Sequence, residues 1–268
     1  MNVIRVDSAT DERLAGYSLI GDERALAGRG WFVAEGRYVV ERLIAGRRHE
    51  LVSLLVNDAA LAALAPHLGA VTAPIYVCAP RLFEPLTGHH FHRGCLALAV
   101  RPAPAPPLLL ARGARSLVVL DRVGNPDNVG SIFRSALALG ADGLWLGPGC
   151  ADPFGRKAIR TSMAAALAMP FATLGGGAAC TQHLVELRDA GFELLALSPR
   201  EPGVELGELS SAGVPVRFAL LLGAEGEGLA PELEALATRR LRIAMRPGVD
   251  SLNVGVAAGI ALHTLRAR

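Results

Sequence analysis

Three polar segments of the sequence carry side chains that could bind or act on a ligand, and each follows an apolar, strand-like run. The segments cover residues 121–130, 223–229 and 245–254. In parallel α/β sheets, ligands bind beyond the carboxyl ends of the strands, where loops meet the N-termini of helices. Three such segments in one chain therefore predict a shared ligand site rather than three unrelated turns.

The first segment leads into a predicted helix and supplies both a cap and a cation. Asp127 or Asn128 is expected to cap the helix, and Gly130 allows another group to approach the backbone closely. Arg134 lies off the apolar stripe of the helix, within two turns of its start, where the guanidinium could meet a ligand at the strand ends. The competing interpretation of Arg134 is a surface arginine or one paired with a carboxylate.

The second and third segments offer different groups to a ligand. In residues 223–229, glycines alternate with acidic residues, so backbone N–H and C=O groups are open to a small molecule. The third segment places Ser251 and Asn253 at the start of the last helix, where capping alone would account for Asn253. Neither the GxGxxG fingerprint nor a GxxxxGKS/T loop occurs, which disfavours a Rossmann-type nucleotide enzyme.

Other catalytic chemistries find little support in the sequence. The adjacent histidines His89, His90 and His92 would rarely converge on one ion, so no metal site is expected there. The cysteines form no CxxC pair, and neither a zinc ribbon nor a disulfide framework is expected from Cys78, Cys95, Cys150 and Cys180. Neither GxSxG nor HExxH occurs, so acyl transfer and metalloproteolysis lack a motif.

The composition indicates a folded protein outside the membrane. Of the 268 residues, 51% are hydrophobic and 19% are charged, which excludes disorder as the main state. No bilayer-spanning run or signal segment is found, so we expect a soluble, cytoplasmic protein. The net charge of +2 does not by itself indicate nucleic-acid binding. Every basic residue except Lys157 is arginine, which suits phosphate recognition, but with so much Ala and Gly in the chain a GC-rich genome explains this bias better.

A proline-rich break divides the chain. The pattern predicts a small α/β sandwich over residues 1–100 and a linker over 101–115. Over residues 116–268 it predicts a second domain of repeated strand–helix units, which implies a parallel sheet covered on both faces. The strands of the second domain are predicted at 116–120, 144–146, 193–197, 218–222 and 241–244, and its last helix at about 253–265. In the first domain, a phosphate-binding face or a solvated rim could be formed by Arg37, Arg42, Arg47, Arg48 and Arg93.

In this order, the three segments resemble the SpoU/TrmH family of the SPOUT superfamily, whose members are RNA ribose methyltransferases. The first match is Asn128-Val-Gly130 followed by Arg134, and the second is LGAEGEGL at 222–229. The third is IAM at 243–245 with DSLNV at 250–254. The first domain, with FVAEG at 32–36 and HRGC at 92–95, resembles the ribosomal-protein-like RNA-binding domain that many members carry.

The resemblance implies a deep trefoil knot in the parallel sheet, an exception to the rule that chains do not thread loops. It also implies a homodimer formed through the knotted region, with S-adenosylmethionine as the cofactor. Backbone groups near Gly223, Ile243 and Leu252 would hold this cofactor, with Met245 beside it. The catalytic and RNA-facing set would be Arg134, Ser251, Asn253, Glu225 and Asn128.

Three positions depart from the family pattern. Ala244 stands where a proline is usual, Pro247 where a glycine is usual, and Gly255 where a serine is common. Pro247 removes a backbone N–H and fixes φ, so the cofactor loop is expected to differ in shape.

The reaction implied by the resemblance is methyl transfer to an RNA ribose 2′-hydroxyl, on rRNA as the first expectation and tRNA as the second. A sulfonium methyl group is already electrophilic, so no metal is needed. The pKa of an arginine lies above about 12, so little of its neutral form is present at neutral pH to act as a base. Arg134 is therefore expected to stabilise the developing alkoxide, with Ser251 and Asn253 orienting Arg134 and the ribose. The alternative is a non-catalytic RNA-binding protein that keeps the fold but has lost cofactor binding.

Overall fold

The computed structural model describes residues 2–88 and 94–266, apart from the side chains of Ser210 and Ala212. The chain forms two compact units, residues 1–103 with 154–168, and residues 104–153 with 169–268. The first unit therefore includes a segment from the middle of the predicted second domain. Arg93 and the predicted histidine cluster, His89, His90 and His92, lie outside the described residues.

The first unit is built on a mixed five-stranded sheet. Its strands lie in the spatial order β1-β4-β3-β5-β2, with β1, β4 and β3 parallel and β5 antiparallel to both of its neighbours. The strands are β1 (Val3–Arg5), β2 (Trp31–Glu35), β3 (Leu51–Val56), β4 (Ile75–Val77) and β5 (Cys95–Val100).

Four α-helices connect these strands. Asn57 caps the third helix, because its Oδ1 accepts a hydrogen bond from the Ala60 N–H at 2.8 Å. A core cluster that includes Leu26, Val33, Leu55 and others lies under the first helix. The helices are α1 (Glu23–Gly28), α2 (Arg37–Gly46), α3 (Asp58–Leu64) and α4 (Phe83–Thr87).

The second unit is built on a seven-stranded sheet, as the strand–helix repeats predict, and every strand pair in it is parallel. The spatial order is β10-β12-β9-β11-β6-β7-β8. The predicted parallel sheet is confirmed, whereas the trefoil knot stays a prediction. The strands are β6 (Ser116–Asp121), β7 (Gly143–Leu146), β8 (Phe171–Thr173), β9 (Glu193–Leu197), β10 (Val204–Glu205), β11 (Phe218–Gly223) and β12 (Arg239–Arg242).

Eight further helices follow in the chain, and two of them belong to the first unit. In that unit, α7 packs on β2, and the ring of Phe154 lies 4.9 Å from that of Phe32. The other six lie in the second unit. The eight are α5 (Pro107–Ala111), α6 (Pro126–Ala138), α7 (Arg156–Thr161), α8 (Ala165–Ala168), α9 (Ala178–Asp189), α10 (Leu206–Ala212), α11 (Pro231–Glu234) and α12 (Val254–Leu265).

Two predicted elements differ from the observed ones. Residues 107–111 of the predicted linker form α5, because Pro107 takes the first helical position, where its missing N–H costs nothing. The strand predicted at 241–244 lies at Arg239–Arg242. Three of its four residues are arginines, which concealed the strand; they pair with acids of neighbouring elements, as Arg239 does with Glu193 at 3.1 Å.

Candidate active site

The side chain of Asn253 connects all three predicted segments. Its Oδ1 caps α12 by accepting hydrogen bonds from the N–H groups of Gly255 at 3.0 Å and Val256 at 3.2 Å. Its Nδ2 donates to Asn128 Oδ1 at 2.9 Å and to Glu225 Oε1 at 2.8 Å. The structure therefore brings Asn128, Glu225 and Asn253 together at the carboxyl edge of the sheet.

The start of α6 explains why Asn128 is available for this contact. The helix is capped by Asn125, whose Oδ1 accepts from the Asp127 N–H at 2.9 Å, and Pro126 occupies the first helical position. The prediction that Asp127 or Asn128 caps the helix is therefore wrong. Asn128 lies inside the first turn and is 7% exposed, so its amide points to Asn253 rather than to its own backbone.

The glycines of the second segment are required by a tight turn. The Gly228 N–H donates to the Ala224 carbonyl at 2.9 Å, and both Gly226, with φ +87°, and Gly228, with φ +77°, adopt left-handed conformations. A Cβ at Gly223 would overlap the backbone of Gly228. Only glycine fits these positions without strain, so Glu225 is presented by a rigid loop.

Residues after β6 hold the same loop from the other side. Asp121 is 2% exposed, and its Oδ2 accepts from the Ala230 N–H at 2.8 Å and from Arg122 Nε at 3.3 Å. Arg122, at φ +56°, donates to Glu227 Oε2 at 2.7 Å and to the Gly228 carbonyl at 3.2 Å. The left-handed conformation of Arg122 is unusual for a residue with a Cβ, and it directs the guanidinium across the loop.

A cavity of about 250 Å³ lies beside this loop. All four residues predicted to hold the cofactor line it, namely Gly223, Ile243, Met245 and Leu252. Two residues of the predicted catalytic set, Glu225 and Ser251, line it as well. The loops that follow β11 and β12 thus contribute to one pocket, and the loop after β6 contacts the glycine-rich loop from outside it.

Comparison with known proteins identifies the family. The SpoU rRNA Methylase family model matches residues 115–263. This chain belongs to the SpoU rRNA methylase family.

Two relatives and one solved structure are similar to this chain. An uncharacterized tRNA/rRNA methyltransferase of Mycobacterium bovis is 40% identical over 237 residues, which cover 88% of this chain and 81% of that one. A 23S rRNA (adenosine(1067)-2′-O)-methyltransferase of Streptomyces laurentii is 35% identical over 148 residues, 55% of this chain and 52% of that one. The AdoMet-bound rRNA methyltransferase of Sinorhizobium meliloti shares the fold with a TM-score of 0.80 at 24% identity, over 98% of this chain and 97% of that chain.

The structure does not place Arg134 with the rest of the predicted catalytic set of this SpoU protein. Arg134 is exposed on α6 and does not line the cavity. Within the described ranges, no hydrogen bond or ion pair joins it to Ser251 or Asn253. Its role in catalysis therefore stays a prediction.

Sequence reasoning missed the wall of the cavity that follows β9. Residues 197–200 and Glu234 line it. Arg200 Nη2 donates to the Glu227 carbonyl at 3.0 Å, so this wall also holds the glycine-rich loop. The apolar strand at 193–197, ending in Ser-Pro-Arg, is the signal that could have pointed to a fourth loop at the same sheet edge.

The three departures from the family pattern leave the cavity open. Pro247 and Ala244 are exposed and do not line it. Pro247 occupies the second position of a turn closed by the Val249 N–H on the Arg246 carbonyl at 3.2 Å, as proline does in type I and II turns. Gly255 permits close packing of α12 on α6, because a Cβ there would lie 2.9 Å from Ser131 Oγ.

Cys150, which follows β7, has a partly buried thiol. Burial raises the pKa of Cys150 to about 11, so the thiol is protonated at neutral pH, and its Sγ lies 3.4 Å from the Leu120 carbonyl. Over residues 2–88 and 94–266, no group of three or more His, Cys, Asp or Glu side chains could hold a metal ion. Over the same residues, no helix combines the length and apolarity needed to cross a membrane.

Proposed function

We propose that this protein transfers a methyl group from S-adenosylmethionine to the 2′-hydroxyl of an RNA ribose. The observation that carries the proposal is the amide of Asn253, which connects Asn128 and Glu225 at the mouth of a cavity lined by the four predicted cofactor residues. The family membership supports the same reaction, and the relatives named above are tRNA/rRNA and 23S rRNA methyltransferases.

The residues present fit the cofactor. Ile243, Met245 and Leu252 give the cavity apolar walls suited to a nucleoside, and the turn at Gly223 and Gly226 leaves backbone groups without covering side chains. When bound, S-adenosylmethionine supplies an electrophilic methyl group on a sulfonium. The protein has to orient the ribose and stabilise the oxyanion that forms as its hydroxyl loses a proton.

The contacts of the polar residues support a different role for each of them. Asn253 has both of its Nδ2 hydrogens and its Oδ1 occupied, so it acts as a positioning residue for Glu225. Ser251 lines the cavity and offers a hydroxyl to orient the ribose. Arg134 would supply the positive charge that stabilises the developing alkoxide.

We further propose that the protein is a homodimer through α6 and α12. These two helices pack on each other. They expose three large apolar side chains, Leu137 at 43%, Val256 at 53% and Ile260 at 38%. Arg134 emerges on the same pair of helices, so pairing two copies there could carry the arginine of one copy to the cavity of the other. A solvent-facing apolar group of this kind is typical of an association surface.

Ribosomal RNA is the proposed substrate and transfer RNA the second candidate, with the cytoplasm as the place of action. The experiment is methyl transfer from labelled S-adenosylmethionine to total RNA, followed by mapping of 2′-O-methylated riboses. Arg134→Ala should fold and bind the cofactor as the wild type does, and should lose transfer. Retained transfer in that variant would remove Arg134 from the mechanism.

The alternative, a non-catalytic RNA-binding protein, rested on Ala244, Pro247 and Gly255. None of these residues obstructs the cavity, so the alternative is not favoured. Calorimetry with S-adenosylmethionine separates the two functions. Absence of any heat of binding would support the non-catalytic protein and overturn the proposed reaction.

A further inference from the structure

Arg122 has a backbone conformation that its residue type disfavours. It follows the last residue of β6 and has a φ of +56°, in the left-handed region. A residue with a Cβ is uncommon there, and such a conformation persists only where the surrounding structure holds it. Glycine would adopt the same φ at no cost. The presence of an arginine therefore points to a contribution from its side chain.

The loop after β7 holds the backbone around Arg122. The Arg122 N–H donates to the Pro148 carbonyl at 3.1 Å, and the Val123 carbonyl accepts from the Ala151 N–H at 2.9 Å. A Cβ at Gly149 would lie 3.3 Å from Arg122 Cγ and 3.4 Å from its Cα, so the two segments are in close contact. The direction of the Arg122 side chain is therefore set by its backbone contacts.

The guanidinium of Arg122 connects two points of the glycine-rich loop at residues 223–229. Its Nη1 donates to Glu227 Oε2 at 2.7 Å, and its Nη2 donates to the Gly228 carbonyl at 3.2 Å. A planar guanidinium can hold a carboxylate and a carbonyl at the same time, which an ammonium cannot do with the same geometry. Because glycines give this loop many alternative conformations in isolation, two fixed contacts restrict it strongly.

The cavity is lined by the loop but not by the ion pair that holds it. Residues 223–226, 228 and 229 line the cavity, whereas Arg122 and Glu227 do not. Any effect of these two side chains on a molecule in the cavity must therefore pass through the conformation of the loop. Arg200, which also holds the loop, lines the cavity itself, so its substitution would mix two effects.

We propose that Arg122 is a positioning residue for the cofactor, because it holds the glycine-rich loop in the conformation that binds S-adenosylmethionine. The inference rests on the proposed function, which supplies the identity of the cofactor. The affinity of a ligand falls in proportion to the fraction of molecules that are in the binding conformation. Loss of the guanidinium lowers this fraction without removing any group from the cavity.

The test begins with Arg122→Gly in the full-length protein, by thermal unfolding and by calorimetry with S-adenosylmethionine alone. The Tm should stay within about 2 °C of the wild type, because relief of the left-handed backbone offsets the lost contacts of a partly exposed side chain. The Kd for S-adenosylmethionine should rise about tenfold. In methyl transfer, the KM for the cofactor should rise while kcat at saturating cofactor stays within about twofold. A purely structural role would instead lower the Tm and leave the cofactor affinity of the folded protein unchanged.

Hydrogen exchange of the protein without cofactor provides a second readout. Peptides covering residues 223–230 should exchange about tenfold faster in Arg122→Gly, while the strands of the parallel sheet keep their protection. Glu227→Ala removes only the exposed carboxylate and should raise the Kd about threefold. Combining the two substitutions should weaken cofactor binding no more than Arg122→Gly does, because both remove the same contact.

The matched control is Arg47→Gly. Arg47 is also an exposed arginine with a left-handed φ, of +50°, but it ends α2 in the other unit and does not line this cavity. The control should bind S-adenosylmethionine as the wild type does and leave the exchange of residues 223–230 unchanged. Calorimetry contains no RNA, so a contact between Arg47 and RNA does not enter the result.

The proposal would be overturned by a Kd of Arg122→Gly within about twofold of the wild type, by unchanged exchange of the loop, or by equal weakening in the control. If Arg122→Gly melts far below the wild type, Glu227→Ala decides, and unchanged affinity in that variant overturns the proposal. Wild-type heat of binding with unchanged affinity in the variants would remove the role of Arg122 and leave the proposed reaction. Absence of heat with the wild type would remove the reaction and, with it, this role.

Discussion

Substitution of Asn253 separates its capping role from its role between the loops. Asn253→Ala removes the cap of α12, worth about 1 kcal/mol, and two donated hydrogen bonds, worth about 0.5 kcal/mol each at an exposed position. Asn253→Asp keeps an acceptor for the Gly255 and Val256 N–H groups but loses both donors. We therefore expect a loss in unfolding free energy of about 2 kcal/mol for alanine and about 1 kcal/mol for aspartate.

The assay is thermal unfolding combined with two functional measurements. For a unit of this size, the expected losses correspond to decreases in Tm of about 6 °C and about 3 °C. Measurement at about 1 M salt, where the Debye length falls to about 3 Å, weakens the repulsion between the new carboxylate and Glu225, and the part that remains adds to the loss expected for aspartate. Both variants should lose methyl transfer while keeping the affinity for S-adenosylmethionine, since Asn253 does not line the cavity.

The control variant is Asn125→Ala, which removes the cap of α6 and leaves the contacts of Asn253 in place. It should lose about 1 kcal/mol of stability and retain methyl transfer below its melting temperature. Wild-type transfer in Asn253→Asp, or equal stability of the aspartate and alanine variants, would refute the division of roles between Oδ1 and Nδ2.

Three further outcomes are expected. Gly255→Ser should destabilise the second unit by about 1–3 kcal/mol through overlap with Ser131, and Ser131→Gly in the same chain should recover most of this loss in a denaturant titration. Ile260→Arg should yield a monomer by light scattering, and a retained dimer would exclude the α6–α12 face. The buried thiols of Cys78, Cys95 and Cys180 should react with a disulfide reagent at pH 8 only on unfolding. Partial burial of Cys150 raises the pKa of its thiol to about 11 from 9.0, so its contribution to stability is present below pH 9 and is lost as pH rises through the folded pKa, which pH-dependent melting would show.

The central strands of the parallel sheet were readable from the sequence because they are short apolar runs bounded by polar turns. The runs at 193–197 and 218–222 lie at the centre of the parallel sheet, where burial on both faces demands continuous hydrophobicity. By contrast, β12 carries three arginines, and its formation depends on ion pairs with neighbours that are distant in sequence, such as Glu193. A local pattern cannot contain that information.

The candidate site, too, was predictable from the sequence only in part. The types and order of Asn128, Glu225 and Asn253 along the chain already pointed to one ligand site, because loops at the carboxyl ends of parallel strands must lie at one edge. Which atoms meet was decided by packing, since Asn125 takes the cap of α6 and so frees Asn128 to accept from Asn253. The cavity wall that contains Arg200 and the attachment of residues 154–168 to the first unit likewise depend on contacts between distant segments, which hydrophobic period and motif spacing do not encode.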